Sequence, residues 1–288
     1  MDITIKSYNN PVVPTWCPGC GDYGIWGAIK KALTDLQIAP TDVLLAFDVG
    51  CHGNMQDKIG GYRFGGLHGR VLPVAIGHYL ANPKLHVIAI GGDGATFSEG
   101  TGHLIQSVRG NYDITFILHN NRNYGLTTGQ PTATTPKGQP MNVSFQGVVE
   151  EQLNTLDFVF SLKPSFVARG FSSDISHMAE IIKAGINHKG FSYVEILQLC
   201  PSYNKFTDEA FYKQRIYKLD NTNHDASDLK KAREKAYEEP EKFALGVIYE
   251  DKNSLPYLER LSGRKGNTSR LIDEVDSRQV TDLLENFK

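Results

Sequence analysis

At 288 residues, with 40% hydrophobic and 22% charged positions and a formal charge of −2, the chain can bury a sizeable core and carries no electrostatic footprint for nucleic acid or an anionic membrane. Four cysteines are too few to staple a secreted scaffold of this length, and no apolar run reaches the roughly 20 residues that cross a bilayer. The start, Met1-Asp2-Ile3-Thr4-Ile5-Lys6, lacks a leader pattern, so a cytoplasmic protein acting on a small molecule or another protein is expected.

The first chemistry-bearing stretch is Cys17-Pro18-Gly19-Cys20, two thiols on one tight loop. Ile25, Ile29, Leu33 and Leu36 follow at helical spacing, which predicts a helix directly after that loop. Val43-Leu44-Leu45-Ala46-Phe47 is a continuous apolar run ending in Asp48-Val49-Gly50-Cys51, the pattern of a buried parallel strand with a functional loop at its carboxyl end. The pattern recurs in Val87-Ile88-Ala89-Ile90 before Gly91-Gly92-Asp93-Gly94, and in Ile114-Thr115-Phe116-Ile117-Leu118 before Asn120-Asn121. Helical spacing over Leu72 to Leu80 and over Gly100 to Val108 separates these strands. A strand from Ser165 to Arg169, a helix from Ile175 to His188 and a strand from Tyr193 to Leu197 carry the alternation up to Cys200.

Such alternation predicts an α/β fold, doubly wound around a mostly parallel sheet, over residues 1–205, with ligand loops at the carboxyl ends of the strands. After Pro201 the composition turns to Asp, Glu, Lys and Tyr, so 206–288 is expected to be a C-terminal extension packing on the domain or on a partner.

Magnesium prefers oxygen ligands and commonly bridges one or two protein oxygens to phosphate. Asp93, an acid wedged between Gly92 and Gly94 just after a strand, suits the first ligand, and a helix beginning at or before Thr101 would favour the phosphate charge. Asn121 ends the next strand and supplies a neutral carbonyl oxygen; one helix and one strand between them return the chain to the same sheet edge. Gly-Asp-Gly alone is more often a simple turn, but its pairing with Asn-Asn at this spacing is specific. Cys17, Cys20, Cys51 and Cys200 fall on loops that can meet near that edge, and spacing leaves zinc and an iron–sulfur cluster at about even odds. A thioredoxin-like pair would leave two of the four unexplained.

The stretch Gly92-Asp93-Gly94 through Asn120-Asn121 resembles the signature of thiamine-diphosphate enzymes, in the domain that binds the diphosphate. That resemblance implies a magnesium ion held by Asp93, the Asn121 side chain and the backbone carbonyl of Asn123, with Tyr124-Gly125-Leu126-Thr127 passing beside thiamine diphosphate. With Trp16-Cys17-Pro18-Gly19-Cys20-Gly21, Gly50-Cys51, Leu67-His68-Gly69-Arg70, Ala81-Asn82-Pro83, Thr127-Thr128-Gly129-Gln130 and Cys200-Pro201 added, the chain resembles the β subunit of the 2-oxoacid:ferredoxin oxidoreductases over about residues 10–205.

This wider resemblance implies that Cys17, Cys20, Cys51 and Cys200 ligate a 4Fe-4S cluster and that His68 contacts the cofactor in catalysis. Val49, Gly50, Cys51, His52, Gly92, Gly94, Ala95, Gly125 and Leu126 are the remaining cofactor-binding positions it implies. The implied reaction is oxidative decarboxylation of a 2-oxoacid with coenzyme A, electrons passing to ferredoxin. It also implies an α subunit that brings the pyrimidine and γ-type domains, as an αβ pair or a dimer of pairs, without which this chain is inactive. The substrate expected is 2-oxoglutarate, with pyruvate or a broad range next, although His52-Gly53-Asn54-Met55 departs from the small hydroxyl residues and arginine of many 2-oxoglutarate members. Lys58, Arg63 and His52 are candidates for the substrate-carboxylate anchor; solvated charges are the commoner case. Two readings of other classes compete: a non-redox thiamine decarboxylase or lyase has no need of the cysteines, and a zinc-stabilised binding protein has no need of the clamp.

Overall fold

The computed structural model describes residues 2–275. Strand β1, Val43–Phe47, is apolar and buried at every position, as a strand covered on both faces must be. Its side chains alternate between two cores: Leu44 and Ala46 join one, and Val43, Leu45 and Phe47 the other. Strand β3, His86–Gly92, pairs parallel to it with Phe47 opposite Ile90, and β4, Ile114–Asn120, pairs parallel to β3 with Gly92 opposite His119. Strand β6, Phe191–Leu197, places Leu197 opposite Asn120. Asp48, Asp93, Asn121 and Cys200 therefore leave the sheet at the same edge.

Helices cover both faces, as the alternation predicts. Helices α1, Asp22–Asp35, and α5, Ile175–Asn187, bury Ile25, Ile29, Leu33, Met178 and Ile182 in one core. Helices α2, Val71–Ala81, α3, Thr101–Gly110, and α4, Thr155–Ser161, bury Leu72, Leu104 and Leu156 in the other. No helix among the described residues is long and apolar enough to cross a membrane.

The full sheet has eight strands in the order β2-β1-β3-β4-β6-β5-β8-β7, three of which the sequence reading did not mark. Strand β2, Tyr62–Gly65, is a four-residue exposed edge, too short and too glycine-flanked for a periodic signal. Strands β7, Ile216–Lys218, and β8, Phe243–Glu250, come from the extension, and β8 pairs antiparallel to β5, Phe166–Phe171. The apolar run from Phe243 to Tyr249 carried the signal for β8, but the polar residues around it masked it. After Asp93 the chain does not enter α3 directly: a π-helical turn, Gly94–Glu99, comes first.

Candidate functional site

Loops leaving β1, β3 and β4, with the loop ahead of α2, enclose a cavity of about 250 Å³. Val49, Gly50, Cys51 and His52 reach it from β1, His68 from the loop ahead of α2, and Gly92, Gly94 and Ala95 from β3. Gly125 and Leu126 reach it from the loop after β4, as do Asn121 and Asn123. Asp93 lines it as well. The structure thus brings every expected cofactor and magnesium position to one wall. A Cβ at Gly94 would stand 2.3 Å from the Tyr124 ring, so glycine is what lets that loop approach.

The Asp93 carboxyl is buried, and its Oδ2 accepts hydrogen bonds from Thr132 Oγ1 at 2.5 Å and Thr134 Oγ1 at 2.6 Å. Burial raises its affinity for a proton above that of an ordinary carboxylate, the two threonine hydroxyls pulling the other way. Among the described residues no lysine, arginine or histidine pairs with it. Asn121 Oδ1 accepts from the Asn123 backbone N–H at 3.1 Å, and Asn204 Nδ2 donates to the Asn121 carbonyl at 2.8 Å, which pins the loop. An anionic oxygen, an amide oxygen and backbone carbonyls in a closed wall form a donor set suited to a hard divalent cation.

A second cavity, about 180 Å³, is lined by Cys17, Cys20, Cys51 and Cys200 and shares Cys51, Asn121, Gly125 and Leu126 with the first. Trp16 Nε1–H donates to the Cys51 carbonyl at 2.7 Å and holds that loop to the Cys17 turn. Burial, reinforced by the Asp22 carboxylate, pushes the Cys51 thiol up to about 12 and the Cys20 thiol higher still. Thiols so placed stay protonated unless a bound metal draws them into the thiolate form. Among the described residues no three His, Cys, Asp or Glu side chains stand close enough to chelate one ion.

Between the cavities runs a buried polar file that the sequence reading did not find. Cys20 Sγ lies 3.3 Å from Asp22 Oδ2, and Asp22 Oδ1 lies 2.7 Å from His119 Nδ1. The His119 ring lies 5.7 Å from that of His52. Burial, and then the neighbouring His119, lower His52 to about 3, so it is neutral near pH 7. Nothing in the sequence marks these partners, because Asp22 and His119 are 97 positions apart. Thr132 and Thr134 were missed for the same reason: Thr132-Ala133-Thr134-Thr135 reads as an ordinary polar loop. Of the candidate carboxylate anchors, only His52 lines the cofactor cavity. Lys58 is buried with its Nζ 2.7 Å from Asp57 Oδ1, and Arg63 bonds the Gln56 carbonyl.

Sheet, clamp loop and cavity define a thiamine-diphosphate-binding domain, and residues 48–196 match the family described as thiamine pyrophosphate enzyme, C-terminal TPP binding domain. Residues 200–266 match the family that describes the C-terminal part of the pyruvate ferredoxin oxidoreductase beta subunit. The chain is 37% identical to the 2-oxoacid:ferredoxin oxidoreductase subunit beta of Saccharolobus solfataricus, with 95% of each chain covered. It is 35% identical to subunit beta of 2-oxoacid:ferredoxin oxidoreductase 1 of Aeropyrum pernix, covering 96% of this chain and 89% of that one. A solved structure, the 2-oxoglutarate:ferredoxin oxidoreductase from Magnetococcus marinus with 2-oxoglutarate, coenzyme A and succinyl-CoA bound, superposes with a TM-score of 0.90 at 31% identity over 100% of this chain and 97% of that chain. The chain belongs to the β subunits of the 2-oxoacid:ferredoxin oxidoreductases, and is a subunit of an oxidoreductase.

Proposed function

We propose that this β subunit holds the diphosphate of thiamine diphosphate through a magnesium ion bound by Asp93, the Asn121 side chain and the Asn123 carbonyl, and a 4Fe-4S cluster bound by Cys17, Cys20, Cys51 and Cys200. Residues 1–205 form the cofactor domain and 206–288 a C-terminal extension, of which 276–288 lie outside the described residues while β8 joins the sheet beside β5. The observation that carries this reading is the shared wall: Cys51 and Gly125 border both cavities, so these residues would hold a cluster in one beside thiamine diphosphate in the other.

A single zinc ion fits the cysteines less well. Tetrahedral zinc at about 2.3 Å from each sulfur would need its thiolates about 3.8 Å apart, and among the described residues no group of three or more His, Cys, Asp or Glu side chains is placed to hold one metal ion. A cluster ligated at four corners spreads its cysteines further.

Thiamine diphosphate supplies the carbon–carbon bond cleavage and electron release when bound. The chain's own part is to orient it. Asp93 and the Asn121 loop fix the diphosphate end, Gly94 and Tyr124 shape the wall, and His68 faces the reacting region with one ring nitrogen. Exposed Cys17 and half-buried Cys20 would hold a cluster near solvent, where it could supply electrons to ferredoxin. An α subunit brings the pyrimidine domain and completes the site for coenzyme A. The substrate is 2-oxoglutarate: the Magnetococcus marinus relative carries it, and a 2-oxoglutarate oxidoreductase subunit of Mycobacterium tuberculosis is 34% identical over 73% of this chain.

Anaerobic purification with the α partner tests the reading. Broad absorption near 400 nm that bleaches with dithionite, and 2-oxoacid-dependent ferredoxin reduction fastest with 2-oxoglutarate across a substrate panel, are expected. Stoichiometric zinc without iron would eliminate the cluster, and full activity of this chain alone would eliminate the need for a partner.

A further inference from the structure

We propose that Asp48 is the positioning residue that fixes the orientation of His68 and the tautomer of its neutral form, so that the ring turns Nε2 to the cofactor. The inference rests on the reading of His68 as a cofactor contact. Asp48 follows β1 directly, and its side chain is 1% exposed. Its Oδ1 accepts from the Val49 N–H at 2.7 Å and the Gly69 N–H at 2.9 Å, and its Oδ2 from the Val71 N–H at 3.3 Å, at the start of α2. His68 Nδ1 lies 3.1 Å from the same Oδ1.

An ionised carboxylate only accepts hydrogen bonds, so Nδ1 must be the protonated nitrogen. A neutral ring then carries its lone pair on Nε2. That nitrogen has no hydrogen-bond partner among the described residues, and the ring lines the cofactor cavity 5.9 Å from that of Tyr124. One carboxylate therefore ties three things together: the end of β1, the loop 66–70 that carries His68, and the ring itself. A helix cap needs only the backbone contacts. The fourth bond, to the ring, is what a structural cap does not require, and it sets the proton of a histidine as a buried acid does in other orienting dyads.

The test uses the αβ complex with labelled histidine, the His68 resonances being assigned as those lost in His68→Gln. At a pH where the ring is neutral, the cofactor-free wild type should show Nδ1 protonated and Nε2 bare, and Asp48→Asn should shift His68 towards a tautomer mixture. With cofactor bound, Asp48→Asn should lower kcat by about 10- to 100-fold with KM for the 2-oxoacid nearly unchanged. Asp48→Asn in the His68→Gln background should cost little more, because the aspartate acts through the histidine. An unchanged tautomer in Asp48→Asn, or losses that multiply in the double variant, would overturn the inference and leave Asp48 as a loop cap. Wild-type complex that binds no thiamine diphosphate would instead overturn the functional reading, and this inference with it. Asp48→Ala is the harsher variant, and thermal unfolding separates its loss of the loop from its loss of the ring bond.

Discussion

Two buried carboxylates, Glu195 within the sheet and Asp93 just beyond β3, are both pushed up by burial yet end shifted in opposite directions. Glu195, on β6, would be pushed up by burial, but the Arg169 guanidinium at 2.6 Å, with help from Asn120 and Thr155, holds it below the ordinary carboxylate range. Arg169 also reaches Glu239 at 2.6 Å and, against the pull of its own burial, is held firmly protonated by the two acids. Asp93 is as deeply buried, yet its only side-chain partners among the described residues are hydroxyls, and burial wins. The difference is the cation. At Glu195 the fold supplies one from its own chain, which marks a structural cluster; at Asp93 it supplies hydroxyl groups instead, which is what the proposed binding of an external cation there would require. Asn120 links the two, donating to Glu195 Oε1 at 2.7 Å while its Oδ1 lies 3.2 Å from Thr134 Oγ1, which also reaches Asp93.

The largest effect should come from removing the internal cation. Arg169→Met leaves Glu195 and Glu239 buried together without compensation, and the cofactor-free chain should lose about 3–5 kcal/mol in urea unfolding. A loss under about 1 kcal/mol would mean that the cluster is not what holds β5, β6 and the extension together. Acid should act on the same cluster. Because the folded-state value of Glu195 is lowered, its contribution is fully present above the unfolded value near 4.3 and disappears as pH falls through the lower folded one. Arg169→Met should therefore flatten the acid limb of stability against pH.

The two clusters were not equally legible in the sequence. Asp93 and Asn121 were legible because an acid between glycines after one strand and an amide after the next are both local patterns. The four cysteines were legible by type, since thiols are scarce, Cys17 and Cys20 share one tight loop, and Cys51 and Cys200 each follow a predicted strand. Arg169 and Glu195 were not: a charged residue inside an apolar strand reads as a surface position until the partner strand, 26 residues away, is known, and Glu239 lies outside any strand, 70 positions from Arg169. The parallel core strands β1, β3 and β4 were readable because burial on both faces leaves nearly unbroken apolar runs. Edge strand β2 and the late strand β8 were missed. One has no buried face, and the other draws its meaning from the antiparallel neighbour β5, which sequence order does not reveal.

Asp93→Asn should invert the outcome expected at Arg169. It removes a charge that burial disfavours, so the cofactor-free chain should hold its stability at pH 7 or gain about 1 kcal/mol. The stabilisation that magnesium and thiamine diphosphate give the wild type, about 2.7 kcal/mol at a hundredfold excess over Kd, should vanish. Thermal unfolding with and without both ligands reads the two terms together. A variant that is destabilised when free of ligand yet still stabilised by them would show that Asp93 serves the fold rather than the cation.

Gly125→Ala should have the smallest effect on the fold and the most selective one on the site. A Cβ there would stand 3.3 Å from Cys51 Sγ, 3.4 Å from Asn123 Oδ1 and 3.6 Å from Cys200 Sγ, tight but not overlapping. Because these neighbours are side-chain ends, unfolding free energy without ligands should change by less than about 1 kcal/mol. The same methyl group presses on two cysteines from the face that the cofactor cavity shares, so iron content and dithionite-bleachable absorbance per chain should fall while magnesium-dependent thiamine diphosphate binding is largely kept. If thiamine diphosphate binding failed and the iron stayed, Gly125 would belong to the cofactor cavity alone. The wall would then separate the two centres instead of joining them, and the electron path would have to run through the Cys20–Asp22–His119–His52 side of the site.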